Sequence, residues 1–319
     1  MSRSIGPWLA RRLFGGVLTI GVASLVIYGS LRLVPGDPAA VLAAGRRLSP
    51  EQLDALRERY NLDEPFLSGY ADWITGVLHG DLGTSSVYQD SVNTLIASRL
   101  PVSAFLIVYS AVLTVLLGLA VAIVGAVRGG GVARLTTALT SGAVATPPFV
   151  AAVVLLSVFA VQLGWFPVTG AGEGFLDRLW HLTLPALAMA LVAFGVLARV
   201  AQATFVEQLR REHVEVARSR GVRTAAIFRR HVFRNSLGPV MTLVGLLIAS
   251  LFVGTAVVET AFGINGIGSF LVSSVNAQDF PVVQAISLIG VTLFVVASTV
   301  VDLLLPVVEP GMRKERALT

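Results

Sequence analysis

An all-α protein crossing a membrane six times is the architecture this sequence predicts, on three observations. The composition is 55% hydrophobic and 13% charged over 319 residues, with a mean hydropathy of +0.78, a balance that water-soluble globules of this length seldom reach. Six apolar runs are each long enough to cross a hydrocarbon layer of about 30 Å, which takes roughly 20 helical residues. The basic residues gather beside alternate ends of those runs, as the positive-inside rule requires.

The first run, Leu9–Val34, follows Arg3, Arg11 and Arg12. Its apolar core is long, Arg32 stands near its end and no A-x-A site follows closely, so it is expected to stay as a span rather than be removed as a signal peptide. Residues 35–99 then form the one sizeable external element. In "SPEQLDALRERY" Ser49 is placed to cap a helix, Pro50 takes its first position, Gln52 stands three residues after the cap, and Leu53, Leu56 and Tyr60 share a face. A second short helix is expected around Tyr70, Trp73, Ile74, Val77 and Leu78, ended by Gly80. Two small amphipathic helices in this place predict a lid on the outer mouth rather than an independent domain.

Five further runs follow: Leu100–Val127, Leu135–Leu163, Leu182–Ala201, Leu237–Val258 and Val282–Val307. Arg128 and Arg134 flank the tight turn between the second and third, and Arg313, Lys314 and Arg316 follow the sixth, which predicts both termini on the cytoplasmic side. The connection between the fifth and sixth runs carries Glu259 and Asp279 and no basic residue, as an external loop would. Pro147-Pro148 inside the third run is read as a kink in a packed helix. The organisation expected is a first span over residues 1–34, an external segment over 35–99 and a core of five spans over 100–319, with a cytoplasmic loop at 202–236.

Several chemistries are excluded or disfavoured. The chain has no cysteine, which removes disulfides and thiolate metal sites. Lys314 is its only lysine, so there is no Gly-Lys-Ser/Thr phosphate loop and any ATP must be handled by a partner. A pI near 10.2 could suggest nucleic acid, but the basic residues lie beside apolar runs with no interleaved aromatics to stack on bases. His79, His181, His213 and His231 lack the spacing of a zinc-binding helix. "GTSS" at Gly83–Ser86 is read as a turn, because no histidine stands in a span to serve as base for a serine nucleophile. Glu259 at the outer end of span five and Asp302 in the inner part of span six are read as interfacial or helix–helix groups, with a conformational gate as the other reading. Arg199, ending span four, is expected to snorkel to the interface. An ion-driven secondary transporter would need inverted repeats, broken helices and ionisable groups at the midplane, features that are weak here.

The stretch Glu215–Pro239, "EVARSRGVRTAAIFRRHVFRNSLGP", carries Arg218, Arg220, Arg223, Arg229, Arg230 and Arg234. A topology anchor touching anionic lipid would explain arginines as such. The pattern is more specific: a short helix opens at Glu215, keeps small side chains at Val216 and Ala217 and stops at Gly221, where glycine permits a left-handed exit. A second helix from about Ala225 to Asn235 leads to Gly238-Pro239 and span five. The segment resembles the EAA loop of ATP-binding cassette importer permeases, E-A-A-x3-G followed later by proline. Glu215, Ala217 and Gly221 match it and Val216 departs at the first alanine. "RLVPGDPA" at Arg32–Ala39, "NLDEP" at Asn61–Pro65, "GDLGTS" at Gly80–Ser85 and "LPALAMAL" at Leu184–Leu191 are similar to the dipeptide, oligopeptide and nickel branch. So is "ETAFGINGIG" at Glu259–Gly268, with Asn265 where that branch usually has proline.

The resemblance covers essentially the whole chain and implies a non-catalytic permease subunit of the inner membrane. Its partners would be a second homologous permease, two cytoplasmic ATPases holding ATP and Mg, and an extracytoplasmic binding protein that delivers a peptide-like ligand. Glu215, Val216, Ala217, Arg218, Arg220, Gly221 and Arg223 would form the coupling helix and its rim, with the arginines facing acidic groups or lipid phosphate and Ala217 permitting close approach. Pro35, Gly36, Asp37, Pro38, Gly80, Asp81, Gly83 and Ser85 would shape the external loop.

Overall fold

The computed structural model describes residues 5–33, 49–59 and 64–308. Among these, no strand forms beyond an isolated bridge between Thr84 and Ser91. The helices are α1 (Ile5–Leu33), α2 (Pro50–Arg59), α3 (Phe66–Leu78), α4 (Val92–Arg128), α5 (Gly130–Ala145), α6 (Pro148–Leu155, running on as a π-helix to Gln162), α7 (Gly174–Leu209), α8 (Glu212–Ser219), α9 (Thr224–Ile227, running on as a π-helix to Phe233), α10 (Leu237–Ala261), α11 (Ile267–Asn276) and α12 (Phe280–Val308). Five of them are long and apolar enough to cross a membrane, and a sixth crossing is reached where the bent pair α5 and α6 counts as one span. The helical limits overrun most of the sequence-read runs by up to about two turns, because a helix continues past the apolar layer wherever caps and local contacts allow.

The third span departs from its expectation. Its two halves meet at 102°, a break rather than a kink. Two consecutive prolines remove the amide donors that Ala143 and Val144 would have used, and each forces the residue before it out of the helical region. Thr146 accordingly lies at φ −87, ψ 115 and Pro147 at φ −59, ψ 143.

The chain divides into two compact units, Met1–Ser103 with Asn265–Val296, and Ala104–Ile264 with Ala297–Thr319. In the first, α3 lies against α1 through aromatic contacts: the Tyr28 ring is 5.6 Å from Phe66, 5.7 Å from Tyr70 and 5.5 Å from Trp73. Ser24 Oγ and Tyr70 Oη share a hydrogen bond of 2.8 Å. The cap expected at Ser49 forms, with Ser49 N–H donating to Gln52 Oε1 at 2.9 Å and Gln52 N–H donating to Ser49 Oγ at 3.3 Å.

In the second unit α7 is the central post, with Leu182, Leu184, Leu197 and Phe205 fully or almost fully buried. Membrane helices gain little from excluding water from one another, so close packing must do the work that apolar burial does in water. Small residues supply it: a Cβ at Gly195 would stand 2.9 Å from a Val144 methyl and 3.0 Å from the Thr140 carbonyl oxygen, and one at Gly245 would overlap the isopropyl group of Val301. Gly245→Val is therefore expected to cost about 2 kcal/mol by overpacking. Thermal denaturation of the solubilised protein reads this, and Val301→Ala in the same chain should restore part of the loss.

Candidate functional site

The stem of the basic hairpin is the C-terminal end of α7. Phe205, with no exposed surface, meets Phe228 at 5.2 Å and Phe233 at 6.1 Å between ring centroids. Around them pack Ala122, Ala126, Leu197, Ala201, Val214, Ala217, Ile227, Val232 and Val240, a single apolar knot tying α4, α7, α8, α9 and α10 together. A push on α8 therefore reaches three spans, α4, α7 and α10, through packed side chains, not through a flexible loop.

α8 itself is short, so its ends matter. Glu212 and Glu215 stand in its first turn and Arg218 in its last, where each charge complements the helix dipole. At the far end Gly221 N–H donates to Arg218 O at 2.9 Å and Val222 N–H donates to Ala217 O at 3.1 Å. These two bonds make a Schellman closure, and it requires the left-handed backbone that Gly221 adopts at φ +72. Arg223 then begins α9 in an extended conformation, with its carbonyl accepting from Ala226 and Ile227. His213 and His231 face one another across the hairpin at 5.8 Å between ring centroids.

The helix has two faces. Val214 and Ala217 are buried against the apolar knot, whereas Glu215, Val216, Arg218, Ser219, Arg220, Gly221 and Arg223 are exposed. Ala217, expected to admit a partner, is instead 8% exposed; its small side chain brings α8 close to its own α7. Val216, the position that departs from the motif, is 48% exposed and points outward. Arg218, Arg220 and Arg223 form no ion pair among the described residues, although Arg211 just before the helix donates to Glu207 Oε1 at 2.7 Å.

The external motif residues form a second constellation. Pro35, Gly36, Asp37 and Pro38 lie outside the described residues. Gly80 and Gly83 turn the chain at φ +84 and +86, Asp81 Oδ1 accepts from Gly83 N–H at 2.8 Å, and Asn93 bridges the loop by accepting from Leu82 N–H at 3.0 Å and donating to Gly80 O at 2.7 Å. Only the end of "GTSS" enters a turn: Thr84 bridges to Ser91, the turn runs over Ser86–Tyr88, and Ser85 Oγ accepts from the Val87 and Tyr88 amides at 3.2 and 2.8 Å. Sequence reasoning missed the group that holds this turn. Asp279, fully buried, accepts from Ser85 Oγ at 2.5 Å and from Ser86 N–H and Oγ at 3.1 and 3.2 Å.

Asn265 gains a reason in the same unit. Arg99 Nε donates to its Oδ1 at 3.2 Å, and the guanidinium lies 4.1 Å from the centre of the Phe270 ring. Proline at this position would offer no side-chain acceptor. Glu259, in the other unit, is fully buried near the C-terminal end of α10, and Asp302 is half-buried in the C-terminal part of α12. No group of three or more metal-ligating side chains occurs among the described residues.

Residues 114–314 match the family described as binding-protein-dependent transport system inner membrane component, and residues 6–107 match the N-terminal module of the same systems. The chain belongs to this permease family. The glutathione transport system permease protein GsiC of Pectobacterium atrosepticum is 35% identical over 307 residues, covering 96% of this chain and 98% of that protein. Those of Salmonella typhimurium and Escherichia coli K12 are 34% and 33% identical over the same share. A crystal structure of an amino acid ABC transporter with histidines shares the permease fold, with a TM-score of 0.53, 18% identity and coverage of 66% of this chain and 93% of its own. The permease is thus a multi-pass inner-membrane subunit of an ATP-binding cassette importer, of the peptide and nickel branch, and the ion-driven reading is set aside.

Proposed function

We propose that this permease carries peptide-like solutes inward, and that ATP binding and hydrolysis with Mg on two cytoplasmic partner subunits reach it through α8. The observation that carries the reading is the division of α8 into an inner face locked onto the Phe205 knot and an outer face with Val216 exposed, continued past the Gly221 exit by exposed Val222, beside unpaired arginines. An apolar centre with a cationic rim suits a groove on a partner with acidic edges: the centre carries the coupling and the rim steers the encounter. Such coupling can drive alternating access only where the partners bind the two permease states with different affinity. A second permease chain completes the path, an extracytoplasmic binding protein delivers the solute at the face bearing Gly80, Asp81, Gly83 and Ser85, and both termini are cytoplasmic. Glu259 and Asp302 then serve helix–helix contacts in spans five and six.

The names of the relatives point to glutathione, a small peptide with an unusual linkage, as the first solute to try. Uptake by the assembled importer in proteoliposomes, with ATP inside and the binding protein outside, is expected for glutathione or for short peptides. Uptake driven by a proton or sodium gradient without ATP would overturn the reading. Val216→Cys should cross-link to an ATPase subunit carrying a cysteine in its groove; a cysteine at Val214 should not.

A further inference from the structure

Arg178 is a cation without a counterion, set in a cluster of aromatic rings. It stands in the second turn of α7, one turn before the apolar run that begins at Leu182. Its guanidinium lies 5.9 Å from the centre of the Phe105 ring of α4, close enough for the ring face to attract it. Phe175 meets that ring at 5.8 Å and Tyr109 at 6.3 Å, and Tyr109 Oη shares a hydrogen bond of 3.1 Å with Thr183 Oγ1. The neighbouring Asp177 carboxylate turns elsewhere, accepting from Glu173 N–H at 2.7 Å and meeting His181 Nδ1 at 3.2 Å. Arg178 Nε is covered and meets no acceptor, and its uncovered terminal nitrogens have none among the described residues.

From Phe105 towards the middle of the apolar run, α4 presents an apolar stripe. Val108, Val112 and Leu116 are all exposed, and their spacing sets them within about 60° of Phe105 around the helix axis. From Phe105 to Leu116 the helix rises about 16 Å, which matches one leaflet of a hydrocarbon core of about 30 Å. A route for a peptide would need hydrogen-bonding groups along it, and these side chains offer none. A packed helix would need small residues, such as Ala186, Ala190 and Ala193 on the buried face of α7, and this stripe is bulky.

We infer that Arg178 binds the phosphate of a membrane phospholipid, with one acyl chain along Val108, Val112 and Leu116, and that this lipid ties α4 to the first turns of α7. Guanidinium donates to phosphate through a planar pair of N–H groups. The cation stands just beyond the apolar run of α7 and the stripe leads from it into the apolar run of α4, which is the order in which a lipid carries its head group and its chain. A free phosphate would have no use for the stripe. The site requires only that α7 begins at a membrane surface, whichever side that is, and its binding readout does not depend on transport.

Native mass spectrometry of the intact importer tests it, with phosphatidylglycerol, a diacylglycerol of the same chains and inorganic phosphate as probes. The wild-type complex should retain phosphatidylglycerol about tenfold more strongly than the diacylglycerol, the return on one charge-assisted contact. Arg178→Gln should lose that preference, and Arg178→Lys should keep part of it. A Val112→Cys thiol should react with a maleimide carried on an acyl chain. Equal retention of phosphatidylglycerol by wild type and the glutamine variant would overturn the site. So would retention of inorganic phosphate as strong as that of the lipid, or a Val112→Cys thiol that cross-links to another subunit instead of meeting the lipid-borne maleimide.

Discussion

Gly221→Val is expected to leave a permease that inserts, assembles and binds its ATPases, yet transports at no more than about a tenth of the wild-type rate. A Cβ at this position meets nothing within 4 Å, so crowding is not the cause. The cost is in the backbone. Residue 221 sits at φ +72, where an L residue loses about 1–2 kcal/mol and a β-branched one more. Relief of that strain breaks the bonds from Gly221 and Val222 back to Arg218 and Ala217, so α8 frays at its outer end while Val214 stays anchored. A loss of about 1.4 kcal/mol in the coupled state corresponds to a factor of about ten. Gly221→Asn, which tolerates the left-handed region, should keep most of the transport, and ATPase activity should persist in both variants. Full transport by the valine variant would remove the coupling role from α8.

Asp279→Ala should produce the largest loss of stability, about 3 kcal/mol or more. Three donors from Ser85 and Ser86 converge on this buried carboxylate, and bonds to a charged acceptor are worth about 1.5–3 kcal/mol each, with a further penalty for donors left buried and unmet. The Ser85 hydroxyl also holds the Val87 and Tyr88 amides, so the whole external turn depends on one side chain. Thermal inactivation of the solubilised importer and cleavage of the 80–91 segment by added protease both read the change. Asp279→Asn keeps an acceptor and should fall between wild type and the alanine variant. An alanine variant as heat-resistant and protease-resistant as wild type would rule out the clasp.

Local signals were legible wherever the cause was local. The cap at Ser49, the stop near Gly80 and the exit at Gly221 each depend on a few neighbouring residues, and all three form as their residues predict. The double proline was visible too, but how far it bends the span was not, because proline removes donors without specifying where the freed chain goes. The Ser85–Asp279 clasp left no trace in the spacing of either segment, since a hydrogen bond between distant stretches imposes no periodicity on them. The direction of Ala217 was equally hidden: a small residue in a coupling motif reads as room for a partner until Phe205 is found beneath it.

The sequence by itself determined the all-α membrane-spanning class and the order of its apolar runs, because hydropathy, charge and capping act residue by residue against water and lipid. Only the tertiary structure decided which face of the coupling helix looks outward, what Asn265 and Asp279 hold, and where glycine lets two spans touch. Those depend on shape matched between segments far apart in the chain, and side-chain packing has no one-dimensional signature.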